Sequence, residues 1–576
     1  MTLSVSILVF GLVWSTSVAG FHESTTKRDG ETTVFGDCSI PKFSDRLPFY
    51  TLAEPVAFPT DILRDFLTST YTSNDCNETH QHGSSFFYDG DRLAALYDNS
   101  TGQTSLWPRL ESLNPVENIS IPFDHFSEYL NDSRIFPPDD TRITAAAGST
   151  LFGSKNSSGS ISPPQAYLAN LAINRTFNVR DREYAICGPG TKGFFGYGSD
   201  GNILSLTHRW QPAKQSEATL ESISSDQVTK NILDQLSASN ISHATVNSVD
   251  FCFYDSGEKY IQPVYRFQVT GKGPHGAAPF PFVGYISAVS KPLEPLPSLT
   301  PSGAPSTTLE PDVSGTSVPL QTPSTPASNF THVPSLRRRH QQSTTVGVYP
   351  ISNSGSISTL CDADVEVFLQ GLNDGKFTIA QNYWGEDFEY ESEKNDFVNS
   401  VDLVYQCGHG NIHQFYADLD ESPVTMADIG SGGGYGPGAG GPLSYWLIKA
   451  CDVIPTITQY TDKFGASAAH EAWDVWWDVF DGIHVIAGFS TEAWTNDGIE
   501  GPLAQAIELN AGVVMSWLNT VMASSLYQSL APYPDPNWGT QKYGRPAAIF
   551  PCGHGDDTVL MRDNLGKPDC LTMFWY

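Results

Sequence analysis

His409 and Cys451 are the residues of this 576-residue chain whose surroundings best suit covalent chemistry. Each follows directly on a short apolar run. Val401-Asp402-Leu403-Val404-Tyr405-Gln406-Cys407 leads into Gly408-His409-Gly410, and Ser444-Tyr445-Trp446-Leu447-Ile448-Lys449-Ala450 leads into Cys451-Asp452. A free thiol has a pKa of about 8.5 and is mostly protonated at neutral pH. A neighbouring imidazole takes that proton and later returns one to a leaving amine. The acyl oxygen then needs N–H donors. A glycine beside the histidine lets backbone approach substrate without a Cβ, so the N–H groups of Gly410 and Cys451 are the expected oxyanion donors.

The elements that must position this pair are strands. Short apolar runs at 345–351, 377–382, 401–407, 444–450, 483–489 and 546–551 alternate with helical patterns at 362–372, 468–480 and 502–518. That alternation predicts an α/β domain over about 345–576, a parallel sheet covered by helices on both faces. In such sheets functional groups gather at the carboxyl ends of the strands. If the two runs are neighbours, imidazole and thiol meet across one crevice.

Strand–His-Gly followed by strand–Ala-Cys resembles the caspase-like cysteine peptidases, including legumain, gingipain and clostripain. The resemblance implies an α/β/α sandwich, His409 as the catalytic histidine, Cys451 as nucleophile and Gly410 at the oxyanion hole. The motif match covers four residues. Asp452-Val453-Ile454 departs from the Arg-Gly or Glu-Ser-Gly that follows the family's nucleophile. The same half is also similar to an uncharacterised family of secreted proteins sharing the Gly-His-Gly and Cys pattern. The expected function is therefore a secreted cysteine peptidase acting on protein or peptide. The alternative is an inactive binding module on the same scaffold. No cofactor or metal is expected.

Other motifs point elsewhere. Gly436-Pro437-Gly438-Ala439-Gly440-Gly441 spells a dinucleotide fingerprint but precedes a strand rather than opening a helix, so it reads as a flexible loop that could border the substrate cleft. His470-Glu471-Ala472-Trp473-Asp474 has Asp474 where a zinc-peptidase helix needs its second histidine. Its Trp473, Trp476, Trp477 and Phe480 spacing fits a buried helix face. Cys407-Gly408-His409 recurs as Cys552-Gly553-His554, which with His413 could ligate zinc. Secreted cysteines favour disulfides instead, and Cys552 and Cys570 are expected to pair.

The chain carries 32 Lys+Arg against 63 Asp+Glu, a formal charge of −31. That argues against nucleic acid and against anionic lipid as partners. The apolar run from Leu3 to Trp14, closing on Ser17-Val18-Ala19, reads as a signal peptide over 1–19 and predicts secretion. Asn-x-Ser/Thr sequons at Asn77, Asn99, Asn118, Asn131, Asn156, Asn174, Asn240 and Asn329 all precede residue 340, so the sugar-bearing surface is expected on the first half. Nine cysteines leave one over. With Cys451 free, four remain in each half, enough for two disulfides apiece.

Residues 290–344 are rich in Pro, Ser and Thr and predict an extended linker. Arg339 closes a triple-arginine run, and Arg28 follows Lys27. Both resemble sites for a kexin-type processing protease. Before the linker, an α+β domain is expected over about 29–289. Its end reads as a helix from Ser225 followed by strands at 249–254, 259–270 and 280–289. That helix and three strands, over about 222–289, resemble the PepSY-type modules of secreted peptidase propeptides.

Overall fold

A computed structural model gives the architecture. It describes residues 24–576 except 29–30, 37, 44–45, 57, 72–75, 82, 100, 118–128, 130–131, 240, 242, 273–279, 298, 300–342, 351–356, 373–375, 383–385, 418–421 and 496. The signal peptide, Arg339, Asn118, Asn131, Asn240, Asn329 and nearly all of the linker lie outside these residues. The chain is mixed α/β, dominated by strands that join into one sheet network.

In the first half, strands β1 (Arg142–Asn156) and β2 (Gln165–Val179) form a long antiparallel pair. Helix α1 (Ser225–Ala238) is capped by the Ser224 side chain, which accepts from the Gln227 N–H. It buries Val228, Ile232 and Leu236, one stripe at helical spacing. Three antiparallel strands follow, β3 (His243–Asp255), β4 (Tyr260–Lys272) and β5 (Phe280–Ser287). The expected helix and three strands are all present. Asn77, Asn99 and Asn156 are exposed and Asn174 is partly so. Arg28 ends a short strand, Ser24–Arg28.

The second half opens with β6 (Thr344–Pro350), α2 (Ile357–Gly371) and β7 (Phe377–Asn382). It continues through β8 (Leu403–Cys407), β9 (Tyr445–Lys449), α3 (Ile457–Phe464) and β10 (Val485–Phe489). Helices α4 (Glu500–Glu508) and α5 (Val513–Met522) precede β11 (Pro546–Pro551) and β12 (Cys570–Trp575). The strand order is β7-β6-β8-β9-β10-β11-β12, with the first five parallel and the last two antiparallel. Side chains alternate between two cores, as the two-residue period of a strand requires. Tyr445 and Leu447 join the large core with α2, α4 and α5, whereas Trp446 and Ile448 join a second core with Trp473 and Trp476.

Three sequence expectations are corrected. The helix expected over 502–518 is two helices, broken where Asn510 takes φ +66° and Gly512 caps α5. A left-handed residue cannot continue a right-handed helix. The helix expected over 468–480 is a 3-10 turn over Ala466–His470 and one α-turn over Glu471–Asp474, although Trp473, Trp476 and Phe480 are buried as the spacing predicts. The glycine-rich loop packs at the amino ends of the strands. A Cβ on Gly436 would lie 2.7 Å from Ile483 N, and the loop does not border the His409–Cys451 end.

Strand β12 pairs with β1 from Cys570↔Asn156 to Trp575↔Leu151, so the two halves share one sheet. Arg92–Asp556 at 3.5 Å and the Asn510 side-chain amide on Asp91 O at 2.6 Å tie them further.

Three disulfides occur among the described residues: Cys187–Cys252, Cys361–Cys407 and Cys552–Cys570. Such bonds belong to an oxidising environment. Cys552 and Cys570 pair as expected. Among the described residues the bridge shown in the first half is Cys187–Cys252, and Cys38 Sγ donates to Val246 O at 3.5 Å. No helix among the described residues is long and apolar enough to cross a membrane.

Cys361–Cys407 staples α2 to the end of β8 across a separation of 46 residues. The chain-entropy model gives about 4 kcal/mol for such a loop. A Cys361→Ser/Cys407→Ser double variant is expected to lose 2–4 kcal/mol, read as a lower melting temperature in differential scanning fluorimetry.

Candidate functional site

His409 and Cys451 lie at the carboxyl ends of neighbouring parallel strands. The register pairs Cys407 with Lys449, and Gly408 N–H donates to Lys449 O at 3.1 Å. Gly410 is in contact with the cysteine's backbone. A Cβ there would meet Cys451 O, with Cys451 N and Ala450 Cβ each 2.8 Å away, so only glycine fits. His409 and Cys451 line one small cavity, about 30 Å³, with Cys361, Lys449, Ala493, Trp494 and Thr495. That volume suits roughly one water molecule.

The cavity is covered by the first half of the chain. Pro281 of β5 lines it, and Phe282 bridges to Thr495. The cover has no local sequence signal, because it comes from a strand remote in the chain.

The thiol is half-buried. Ala493 N–H donates to Cys451 Sγ at 3.4 Å, and Sγ in turn donates to Ala493 O at 3.6 Å. Burial pushes the Cys451 thiol well up, reinforced by the carboxylates of Glu492 and Asp452. Burial pushes the His409 imidazole down to about 4. In this closed form the pair is therefore a neutral thiol and a neutral imidazole at physiological pH.

Behind the cysteine is a buried charge cluster that the sequence reading missed. Lys449 points into the large core two residues before Cys451. Its Nζ donates to Asp364 Oδ2 at 2.7 Å, to Asp497 Oδ1 at 2.8 Å and to Glu500 Oε1. Tyr527 Oη donates to Asp497 Oδ2 at 2.5 Å, and Tyr405 Oη to Glu500 Oε1 at 3.1 Å. Burial alone would lower the Lys449 pKa, but the three carboxylates raise it well above its usual value. The signal was present: a lysine inside the run Tyr445-Trp446-Leu447-Ile448-Lys449-Ala450 must find acids if that run is a central strand.

Asp452 follows the cysteine at φ +53°, buried, with Oδ1 lacking a hydrogen-bond partner. Burial, with Asp535 and Glu492 nearby, pushes its carboxyl up to about 8; burial and Asp535 push Glu492 up to about 7. Between pH 4 and these values the folded state keeps protons the unfolded chain has lost, so stability falls as pH rises. Asparagine accepts positive φ. Asp452→Asn is expected to be near neutral at pH 4 and stabilising by on the order of 5 kcal/mol at pH 8, seen as a flatter dependence of melting temperature on pH.

Neither of the two zinc patterns set aside in the sequence is assembled among the described residues. Cys407 and Cys552 are both in disulfides, which removes them as thiolate ligands. His413 is buried against Tyr460 and Trp476. His470 is exposed and binds Ser467 O through Nδ1. Among the described residues, His484, His554 and Asp557 bring ligand atoms within 4.8 Å of one another. Asp557 Oδ2 lies 2.5 Å from His484 Nδ1 and 2.9 Å from His554 Nδ1. This group precedes β10, at the sheet end opposite Cys451, and it clamps the 552–563 loop to the strands.

Comparison with known proteins adds little to the chemistry. Residues 353–529 match a family model described as a domain of unknown function (DUF6345). The match spans His409, Cys451 and the whole Lys449 cluster. No curated protein matches. A crystal structure of an uncharacterized protein from Eubacterium rectale aligns at a TM-score of 0.26 with 8% identity, covering 46% of this chain and 92% of that one. A likeness that low carries no argument.

Proposed function

We propose that the chain is a secreted cysteine peptidase of caspase-like fold, with Cys451 as nucleophile and His409 as general acid and base. The N–H groups of Gly410 and Cys451 would form the oxyanion hole. The observation that carries this reading is the shared cavity: imidazole and thiol at the carboxyl ends of adjacent parallel strands, with Gly410 on the cysteine's backbone. The strand order, five parallel strands then an antiparallel edge, suits that fold. The substrate is a protein or peptide.

The cover supports a latent state. A cavity for one water admits no peptide, and a raised thiol pKa leaves almost no thiolate. Processing near Arg339, by a kexin-type protease, would cut the tether between the halves. The pairing of β12 with β1 would still hold them together, so activation requires Pro281 and Phe282 to move away from Thr495.

The second reading, an inactive binding module, is favoured by the acids around the thiol. Glu492 and Asp452 oppose a thiolate, whereas an activated cysteine needs a cationic or donor-rich setting. The deciding experiment assays peptide turnover before and after cleavage at Arg337–Arg339, for wild type and Cys451→Ala. Turnover that appears only after cleavage and only with Cys451 establishes the peptidase. Turnover that persists in Cys451→Ala removes Cys451 as the nucleophile, and turnover that never appears leaves the binding module.

A further inference from the structure

A cleft of about 920 Å³ opens on the other side of the β10 exit from Cys451. Ser490 and Thr491 form its wall, and the next two residues, Glu492 and Ala493, stand beside the thiol. Arg545 and Lys542 line it. In a chain with so few basic residues, the buried cations Lys449, Arg92 and Arg175 each have an acidic partner. Arg545 and Lys542 have none: neither comes within ion-pair distance of a carboxylate among the described residues.

Arg545 is held ready. Its N–H donates to Thr491 Oγ1 at 3.0 Å, and its carbonyl accepts from Ser490 N at 2.8 Å. Its guanidinium lies over the Tyr576 ring, 4.4 Å from the centroid. That ring is itself fixed against the Gly148 backbone. Stacking uses the face of the guanidinium and leaves its in-plane N–H donors unspent. Arg545 is half-buried, and desolvation lowers its pKa; Lys542 is lowered by burial and by Arg545. Two neighbouring, partly desolvated cations repel one another until an anion joins them.

We propose that this cleft binds a carboxylate of an acidic peptide, with Arg545 as its two-pronged anchor and Lys542 as a second cation. Two acids on the wall limit the charge it tolerates. Asp535 is committed to Tyr533 Oη at 3.0 Å and to the N–H groups of Asn537 and Trp538, and Asp462 is exposed. Both favour a singly charged carboxylate over a phosphate dianion. The Trp538 indole and the Gln541 side chain supply further wall for a peptide.

The inference rests on the reading of this sheet end as a polypeptide site, and its test is kept apart from turnover. Full-length Cys451→Ala protein is titrated into fluorescein-labelled tetraglutamate and tetraglutamine amides, followed by anisotropy. Tetraglutamate is expected to bind at least tenfold more tightly, with binding that weakens as salt rises. Arg545→Gln should erase the difference, and Arg545→Lys should lose most of it, because lysine supplies charge without the planar fork. Excess inorganic phosphate should not displace the peptide. Equal binding of the two peptides, unchanged selectivity in Arg545→Gln, or displacement by phosphate overturns the proposal. If Arg545→Gln fails to fold, Lys542→Gln at an exposed position carries the test, with an expected threefold loss and a shallower salt dependence; no change there overturns it. Acidic-peptide binding without turnover by the cleaved wild-type chain would remove the peptidase and leave this site standing.

Discussion

Replacing Lys449 with methionine is expected to cost about 3–5 kcal/mol, because it leaves Asp364, Asp497 and Glu500 buried together without their cation. Asp364 comes from α2, Glu500 opens α4 and Asp497 lies in the loop before it, and all three converge on one Nζ. Burial and Asp364 already push Glu500 well up even with Lys449 present. Domains are stable by only about 5–15 kcal/mol, so the variant should express poorly and melt far below wild type. Adding Asp364→Asn and Asp497→Asn should restore part of the loss. Recovery through removal of the acids would identify unpaired charge as the cause. A melting temperature for Lys449→Met within a few degrees of wild type would show that the cluster is not a structural keystone.

The second large effect is on thiol reactivity. An ordinary thiol is about one-tenth thiolate at pH 7.5. In the intact chain, burial and the adjacent carboxylates hold Cys451 in the thiol form, so native alkylation by iodoacetamide should run on the order of a thousandfold slower. Raising the pH from 7.5 to 9 should speed it about thirtyfold, tenfold per unit, and still leave it far slower than an ordinary thiol. Cutting at Arg337–Arg339, followed by displacement of Pro281, lets water reach Sγ and removes the largest cause of the shift. Labelling should then speed up by at least a hundredfold and acquire a pH profile that includes His409. His409→Ala should flatten that profile. Rapid labelling of the intact chain would show that the cover does not close the site. Slow labelling after cleavage would favour the binding module.

The strand ends that present His409 and Cys451 were legible because apolar runs stop abruptly at Gly408 and Cys451. The helix and three strands over 225–289 were legible from alternation. The break at Asn510 was missed although its signal was present, since asparagine readily takes the left-handed conformation that ends a helix and Gly512 follows two residues on. Strand β12 was missed because Leu571, Met573, Phe574 and Trp575 are apolar on both faces and hide the two-residue period. The cover and the Lys449 cluster depend on contacts between remote segments. Arg545 and Lys542 stand out only once the fold shows no carboxylate within ion-pair distance of either among the described residues. Sequence supplies residue types, and the absence of partners is a property of the fold.

The pairing of β12 with β1 constrains the order of events during synthesis. Strand β1 leaves the ribosome early, and its partner is made about 400 residues later, a delay on the order of tens of seconds. Through that interval β1 presents an unsatisfied hydrogen-bonding edge, the kind of surface that recruits wrong strands. Only when Trp575 has cleared the exit tunnel can the sheet be completed. The two halves therefore complete their common sheet only after both have been made, and β12 acts as the latch.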